Sequence, residues 1–117
     1  AEIRAAREAF ETTDLRERLA RYHADVDTAF RGWNDAWLDP GFEAWNVENV
    51  LDTITVPVLA IQGRQDQYGT LAQIDTVERR VRAGVTRVVI ENCRHAPHLD
   101  APEQVLSAVA QFTSGLP

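Results

Sequence analysis

The chain has 117 residues, of which 44% are hydrophobic and 26% charged, as expected for one globular domain with a modest core. Its formal net charge of -6, without a basic cluster, argues against a nucleic-acid surface, and no apolar run is long enough to span a membrane. A single cysteine, Cys93, excludes an internal disulfide. We therefore expect a cytoplasmic protein that binds neither nucleic acid nor membrane.

The first fifty residues are predicted to be helical. Apolar side chains share one face of residues 2–11, which indicates a short helix. Across residues 15–37 apolar side chains recur every three or four positions, which predicts one longer helix. The turn-forming residues 39–41 end it.

All three tryptophans of the chain fall between Trp33 and Trp45. In one interpretation they pack this helical segment onto the rest of the protein. In another they form the inner face of a lid that closes over an apolar substrate. The second interpretation makes Trp33 and Trp37 candidate substrate-binding residues.

The rest of the chain is predicted to form a strand, a helix, a second strand and a final helix. Residues 56–62 and 86–91 are short apolar runs rich in β-branched residues, which is typical of parallel strands. Between them lie apolar residues at helical spacing: Leu71, Ile74, Val77 and Val81. After Pro102 we predict a last helix, with an apolar face of Val105, Leu106, Val109 and Phe112.

Two candidate catalytic residues follow the predicted strands. Asp66 comes after the first strand and His95 after the second. Loops that follow parallel strands emerge at the same edge of the sheet, and neighbouring strands lie about 4.8 Å apart. We therefore expect the carboxylate and the imidazole to meet at the edge where open α/β sheets bind ligands. Tyr68, in the same loop as Asp66, is a further candidate for contact with a substrate.

Residues 56–66, an apolar strand followed by Gly63 and then Asp66, resemble the penultimate-strand segment of the α/β-hydrolase superfamily. Residues 93–105 resemble its catalytic-histidine loop and last helix, and the aromatic helices before Val56 are similar to its cap. The resemblance implies an α/β fold that is the C-terminal part of an α/β-hydrolase, with parallel strands and crossover helices. Residues 1–50 would form the helical cap and residues 51–117 the α/β part.

By this resemblance Asp66 is the acid and His95 the base of a triad that cleaves an ester or related acyl bond in a small molecule. The nucleophile is missing, because there is no G-x-S-x-G motif and the only serines, Ser107 and Ser114, lie in or beside the last helix. We expect the chain alone to be inactive. It would need a companion polypeptide with the N-terminal half, or would swap with a copy of itself.

Several alternatives stay open. The same family resemblance covers carbon–carbon hydrolases, dehalogenases with an aspartate nucleophile, and non-catalytic members that bind a small ligand. Considered by themselves, Asp66 could be a turn residue and His95 a structural histidine. His95, His98 and Asp100 also form a weak metal-ligand pattern. We nevertheless expect neither a metal nor another cofactor.

Overall fold

The structure, a computed structural model, describes residues 2–116. Over these residues the elements are α1 (Glu2–Thr12), α2 (Leu15–Ala20), α3 (Val26–Leu38), a 3-10 turn (Pro40–Phe42), α4 (Glu48–Leu51), β1 (Val58–Gly63), α5 (Ala72–Arg80), β2 (Val85–Ile90), α6 (Pro97–Asp100) and α7 (Pro102–Ser114). None of the described helices is both long and apolar enough to cross a membrane.

The chain divides into two compact units, the first ending at Trp45 and the second beginning at Asn46. This division is earlier than the predicted boundary at residue 50. Helix α4 belongs to the second unit because Arg80, at the end of α5, lies 2.6 Å from Asp52 and 3.4 Å from Glu48. We therefore place the boundary after Trp45. The role of the first unit as a cap stays a prediction.

In the first unit, the prediction of one continuous helix over residues 15–37 is wrong. Residues 21–25 separate α2 from α3 and are not helical. The carboxylate of Asp25 accepts a hydrogen bond from the backbone N–H of Thr28 at 3.0 Å, which caps α3 as a new helix. The apolar spacing continues across the break only through Tyr22, whose 82% exposure shows that it marks no buried face.

Helices α1 and α3 form the core of the first unit. The ring of buried Phe10 stacks on Phe30, with centroids 3.9 Å apart. Beside them Asn34 is completely buried. Its Oδ1 accepts a hydrogen bond from Nε of Arg7 at 2.9 Å, and its Nδ2 donates one to the carbonyl oxygen of Ile3 at 2.8 Å. A buried amide therefore joins the two helices with both of its ends satisfied.

We expect Asn34→Ala to lower the free energy of unfolding by about 1–3 kcal/mol, because it removes both of these buried hydrogen bonds. Urea unfolding followed by tryptophan fluorescence measures the change. The control is Asp35→Ala, which removes an exposed ion pair with the same Arg7 and should change stability by about 0–1 kcal/mol. Equal losses in the two variants would contradict the role assigned to Asn34.

In the second unit, β1 and β2 pair in parallel, and α5 connects them. The register runs from Val58 opposite Val85 to Gly63 opposite Ile90. The predicted strand–helix–strand unit is confirmed, with strand ends shifted by one or two residues. The strongest burial lies at the carboxyl ends of the strands, where Gly63 is buried and Ile90 is 1% exposed.

The two longer helices of this unit cover opposite faces of the sheet. Arg87 of β2 lies 3.0 Å from Glu78 of α5, whereas its neighbour Val88 lines a groove with Phe112 of α7. Successive residues of a strand point to opposite faces, so α5 and α7 lie on different sides. The predicted apolar face of α5 is confirmed, since Ile74 and Val81 are buried.

The predicted apolar face of α7 is wrong in part. Leu106 and Val109 are 69% and 42% exposed, whereas Val105, Ala108 and Phe112 are partly buried. The three inward residues follow one another at spacings of three and four, and each residue of a helix is rotated by about 100° from the last. Leu106 therefore points away from the side that Val105 presents to the sheet.

Candidate active site

The loop after β1 folds around the carboxylate of Asp66. Its Oδ1 accepts hydrogen bonds from the backbone N–H groups of Tyr68 at 2.9 Å and Gly69 at 3.2 Å. The side chain of buried Gln62 donates to the carbonyl oxygens of Gly69 at 3.4 Å and Thr70 at 3.2 Å. These bonds hold Asp66, with 9% of its side chain exposed, beyond the carboxyl end of β1.

The loop after β2 carries His95. Asn92 takes a left-handed conformation with φ of 54°, where β2 has just ended. Cys93 is then fully buried, and the backbone N–H of Arg94 donates to Asp100 at 2.8 Å. The backbone that precedes His95 is thus anchored, while the side chain of His95 is 58% exposed.

His95 and Asp66 are in direct contact. Nδ1 of His95 lies 3.0 Å from Oδ1 and 3.1 Å from Oδ2 of Asp66. With its proton on Nδ1 the ring donates to the carboxylate, and the lone pair on Nε2 is left to accept a proton. A general base held by an acid needs this orientation. The strand topology correctly predicted that the two side chains meet, and their catalytic role stays a prediction.

The environment of Asp66 favours its ionised form. Burial raises the pKa of Asp66, but hydrogen bonds from the backbone of Tyr68, the ring of His95 and the backbone of Gly69 outweigh it, so the pKa lies below its ordinary value. Cys93 shows the opposite balance, because burial raises the pKa of its thiol. A buried, protonated thiol is a poor nucleophile.

We expect Asp66 to make stability depend on acidic pH. A carboxyl group whose pKa is lower in the folded state contributes stability above its unfolded pKa, about 3.9, and loses that contribution as pH falls through the folded pKa. Urea unfolding at neutral pH and near pH 3 should therefore show a larger loss of free energy for the wild type than for Asp66→Asn. Glu43→Gln, which removes an exposed carboxylate without an ion pair or side-chain hydrogen bond in residues 2–116, serves as the control and should lose as much free energy as the wild type. Identical losses in wild type and Asp66→Asn would contradict the prediction.

Asp66 and His95 both line an open cavity of about 450 Å³ within the second unit. Its wall also includes Gln62 and Gln73, two polar side chains close to the acid–base pair. Tyr68 lies beside the pair, with its ring edge-on to His95 at a centroid distance of 4.9 Å and 44% exposure. Tyr68 does not line the cavity itself, and its contact with a substrate stays a prediction.

The two other predicted substrate-binding residues, Trp33 and Trp37, belong to the first unit. Trp33 packs edge-on against Phe30 at 5.7 Å, and Trp37 packs against Phe42 at 5.3 Å and Trp45 at 6.2 Å. They are 38% and 50% exposed, so each contributes to packing while leaving part of its ring accessible. A role in substrate binding stays a prediction for both.

The sequence also contains a weak metal-ligand pattern, formed by His95, His98 and Asp100. Within residues 2–116, no group of three His, Cys, Asp or Glu side chains is arranged so that it could hold a metal ion. The carboxylate of Asp100, one member of that pattern, instead accepts the hydrogen bond from the backbone of Arg94.

Sequence reasoning missed two residues that join the loops of Asp66 and His95. A Cβ atom on Gly63 would overlap with the backbone carbonyl groups of Cys93 and Arg94. Gln65 bonds to the backbone of Cys93 through both its main chain and its side chain. The glycine at the end of the first strand was a signal for a close approach. Gln65 offered none, because an exposed polar residue in a loop forms no recurring pattern.

Comparison with known proteins shows a relationship at the level of fold. No protein-family model and no curated protein matches the chain. One similar solved structure is the CarC enzyme, a serine hydrolase involved in carbazole degradation, with a TM-score of 0.64 and 18% sequence identity. The match covers 76% of this chain but only 34% of that protein. The predicted α/β fold class is confirmed: the chain has a mixed α/β fold with parallel strands, and the match spans about a third of the length of this neighbour, an α/β-hydrolase.

Proposed function

We propose that this chain supplies the acid and the base of a hydrolase that cleaves an ester or related acyl bond in a small molecule. The observation that carries the proposal is the 3.0 Å contact between Nδ1 of His95 and Asp66, beyond the carboxyl ends of two paired parallel strands. The fold likeness to a serine hydrolase supports the reaction class. The 58% exposure of the His95 side chain leaves its ring accessible to a substrate.

In the proposed reaction, Nε2 of His95 takes the proton of the nucleophile as that group attacks the acyl carbon. The carboxylate of Asp66 stabilises the resulting imidazolium and holds the ring in place. His95 then gives the proton to the leaving oxygen as the acyl–oxygen bond breaks, which leaves an acyl-enzyme. Water next attacks the acyl group and transfers its proton to His95, which returns it to the departing nucleophile.

The nucleophile in this proposal comes from outside the 117 residues, because they contain no G-x-S-x-G motif. We propose that the segment carrying it adds to the edge of β1. The consecutive residues 59–63 all line the cavity, which indicates that the backbone edge of the strand faces it. A swapped copy of the chain could cover the same edge, but it would bring no serine motif.

We propose an apolar or aromatic substrate, with Tyr68, whose ring lies edge-on to His95, as its candidate contact. The similar solved structure belongs to a protein involved in carbazole degradation, which is consistent with an aromatic substrate class. The same acid–base pair would also serve a carbon–carbon hydrolase or a dehalogenase, and the identity of the nucleophile separates these reactions. A cytoplasmic location remains part of the proposal, since the single thiol, Cys93, is free and buried.

Native mass spectrometry of the protein from its source, followed by an activated-ester assay on the same sample, tests the proposal. We expect covalently or non-covalently associated polypeptide that carries a nucleophile, together with ester cleavage. The isolated chain is the control and should be inactive. A well-folded species with only these 117 residues and no activity would instead favour a non-catalytic role in binding a small ligand.

A further inference from the structure

The loop that carries Asp66 and the loop that carries His95 are joined by hydrogen bonds between residues that shortly precede the acid–base pair in the sequence. The backbone N–H of Gln65 donates to the carbonyl oxygen of Cys93 at 2.9 Å. In return, the backbone N–H of Cys93 donates to the side-chain Oε1 of Gln65 at 3.1 Å. We call these two bonds the loop clamp. Gln65 directly precedes Asp66, and Cys93 lies two residues before His95, so the loop clamp fixes both loops next to their functional side chains.

The side chain of His95 is not held in place by burial. The side chain of His95 is 58% exposed, and its hydrogen bonds within the described residues go to Asp66 alone. Its loop begins with Asn92 in a left-handed conformation, beyond the last residue of β2. The burial of Cys93 fixes one point of that loop, and the loop clamp ties this point to the loop of Asp66.

We infer that Gln65 is a positioning residue, which holds His95 in register with Asp66 through its side-chain hydrogen bond to Cys93. Gly63 permits the same close approach of the two loops, because the carbonyl groups of Cys93 and Arg94 occupy the space that a side chain at residue 63 would need. The acid and base roles of the pair belong to the proposed function. The inference about Gln65 is separate from those roles, because it states only that Gln65 sets the position of His95 relative to Asp66.

The tautomer of His95 reports that geometry without any turnover. A carboxylate that accepts a hydrogen bond from Nδ1 keeps the proton on that nitrogen in the neutral ring. Imidazole nitrogen chemical shifts of the ¹⁵N-labelled chain at alkaline pH therefore give the fraction of His95 protonated on Nδ1. The resonances are assigned by replacing each of the three histidines in turn with glutamine. Asp66→Ala supplies the reference value for a ring without its partner.

We expect Gln65→Ala to move the Nδ1-protonated fraction at least about half of the way from wild type to Asp66→Ala. Gln67→Ala is the matched control, because Gln67 lies in the same loop and its side chain has no hydrogen bond within residues 2–116. Gln65→Glu keeps an oxygen acceptor for the Cys93 N–H and should retain the wild-type tautomer.

A folded Gln65→Ala chain with an unchanged tautomer would overturn the inference, even if its stability fell. If Gln65→Ala does not fold, Gln65→Met decides, because it keeps most of the side-chain volume but has no oxygen acceptor for the Cys93 N–H. A shift toward the Asp66→Ala value in that variant supports the loop clamp, and an unchanged tautomer overturns it. Because the measurement needs neither nucleophile nor substrate, it separates failure of the loop clamp from failure of the proposed hydrolase activity.

Discussion

In an assembly that supplies the proposed nucleophile, His95→Ala is expected to lower kcat/KM for ester cleavage by about 10⁴-fold or more. The physical reason is that Nε2 of His95 is the proton acceptor that the proposed reaction uses in both of its steps. Asp66→Asn should also lower kcat strongly while the fold is kept, because the amide no longer fixes the tautomer or stabilises the imidazolium. Steady-state kinetics with an activated ester measures both losses.

The matched control for His95→Ala is His98→Ala. His98 lies three residues further along the chain, is exposed, and makes no side-chain hydrogen bond within the part of the chain that the structure describes. We expect its replacement to leave kcat/KM nearly unchanged. Wild-type turnover in His95→Ala or in Asp66→Asn would show that the acid–base assignment is wrong, whatever the behaviour of His98→Ala.

The second large effect is expected from Gly63→Ala. The new methyl group would overlap with the carbonyl groups of Cys93 and Arg94, so the loop that leads to His95 must move. Overpacking of this kind costs about 1–3 kcal/mol of stability. A displacement of about 1 Å at a reacting group can lower turnover by about 10²-fold. Thermal unfolding of the chain measures the first effect, and kcat of the assembly with the proposed nucleophile measures the second.

Gly32→Ala is the control for this substitution. Gly32 lies within α3, and a Cβ atom there would have no neighbour within 4 Å. Since alanine is favoured over glycine in a helix by about 1 kcal/mol, this variant should be as stable as the wild type or slightly more stable. If Gly63→Ala behaved like Gly32→Ala, the close packing between the two loops would have no effect on stability or turnover.

The second unit could be predicted largely from the sequence. Apolar runs and helical spacing are local signals, and they gave β1, α5 and β2 to within two residues. Chain connectivity then required Asp66 and His95 to emerge at the same edge of a parallel pair. The first unit was harder, because the spacing of apolar residues carries no information about the capping bond that starts α3 at Asp25.

By itself, the sequence determined the fold class and the meeting of Asp66 with His95, because both follow from short-range patterns and from the direction of parallel strands. Only the tertiary structure decided which residues of α7 face the sheet and how the two loops are joined. Gln65 and Cys93 are 28 residues apart, and Gly63 approaches the same loop through space. Contacts between such distant positions depend on the packed backbone and leave no period in the sequence, so they could be found only in the folded chain.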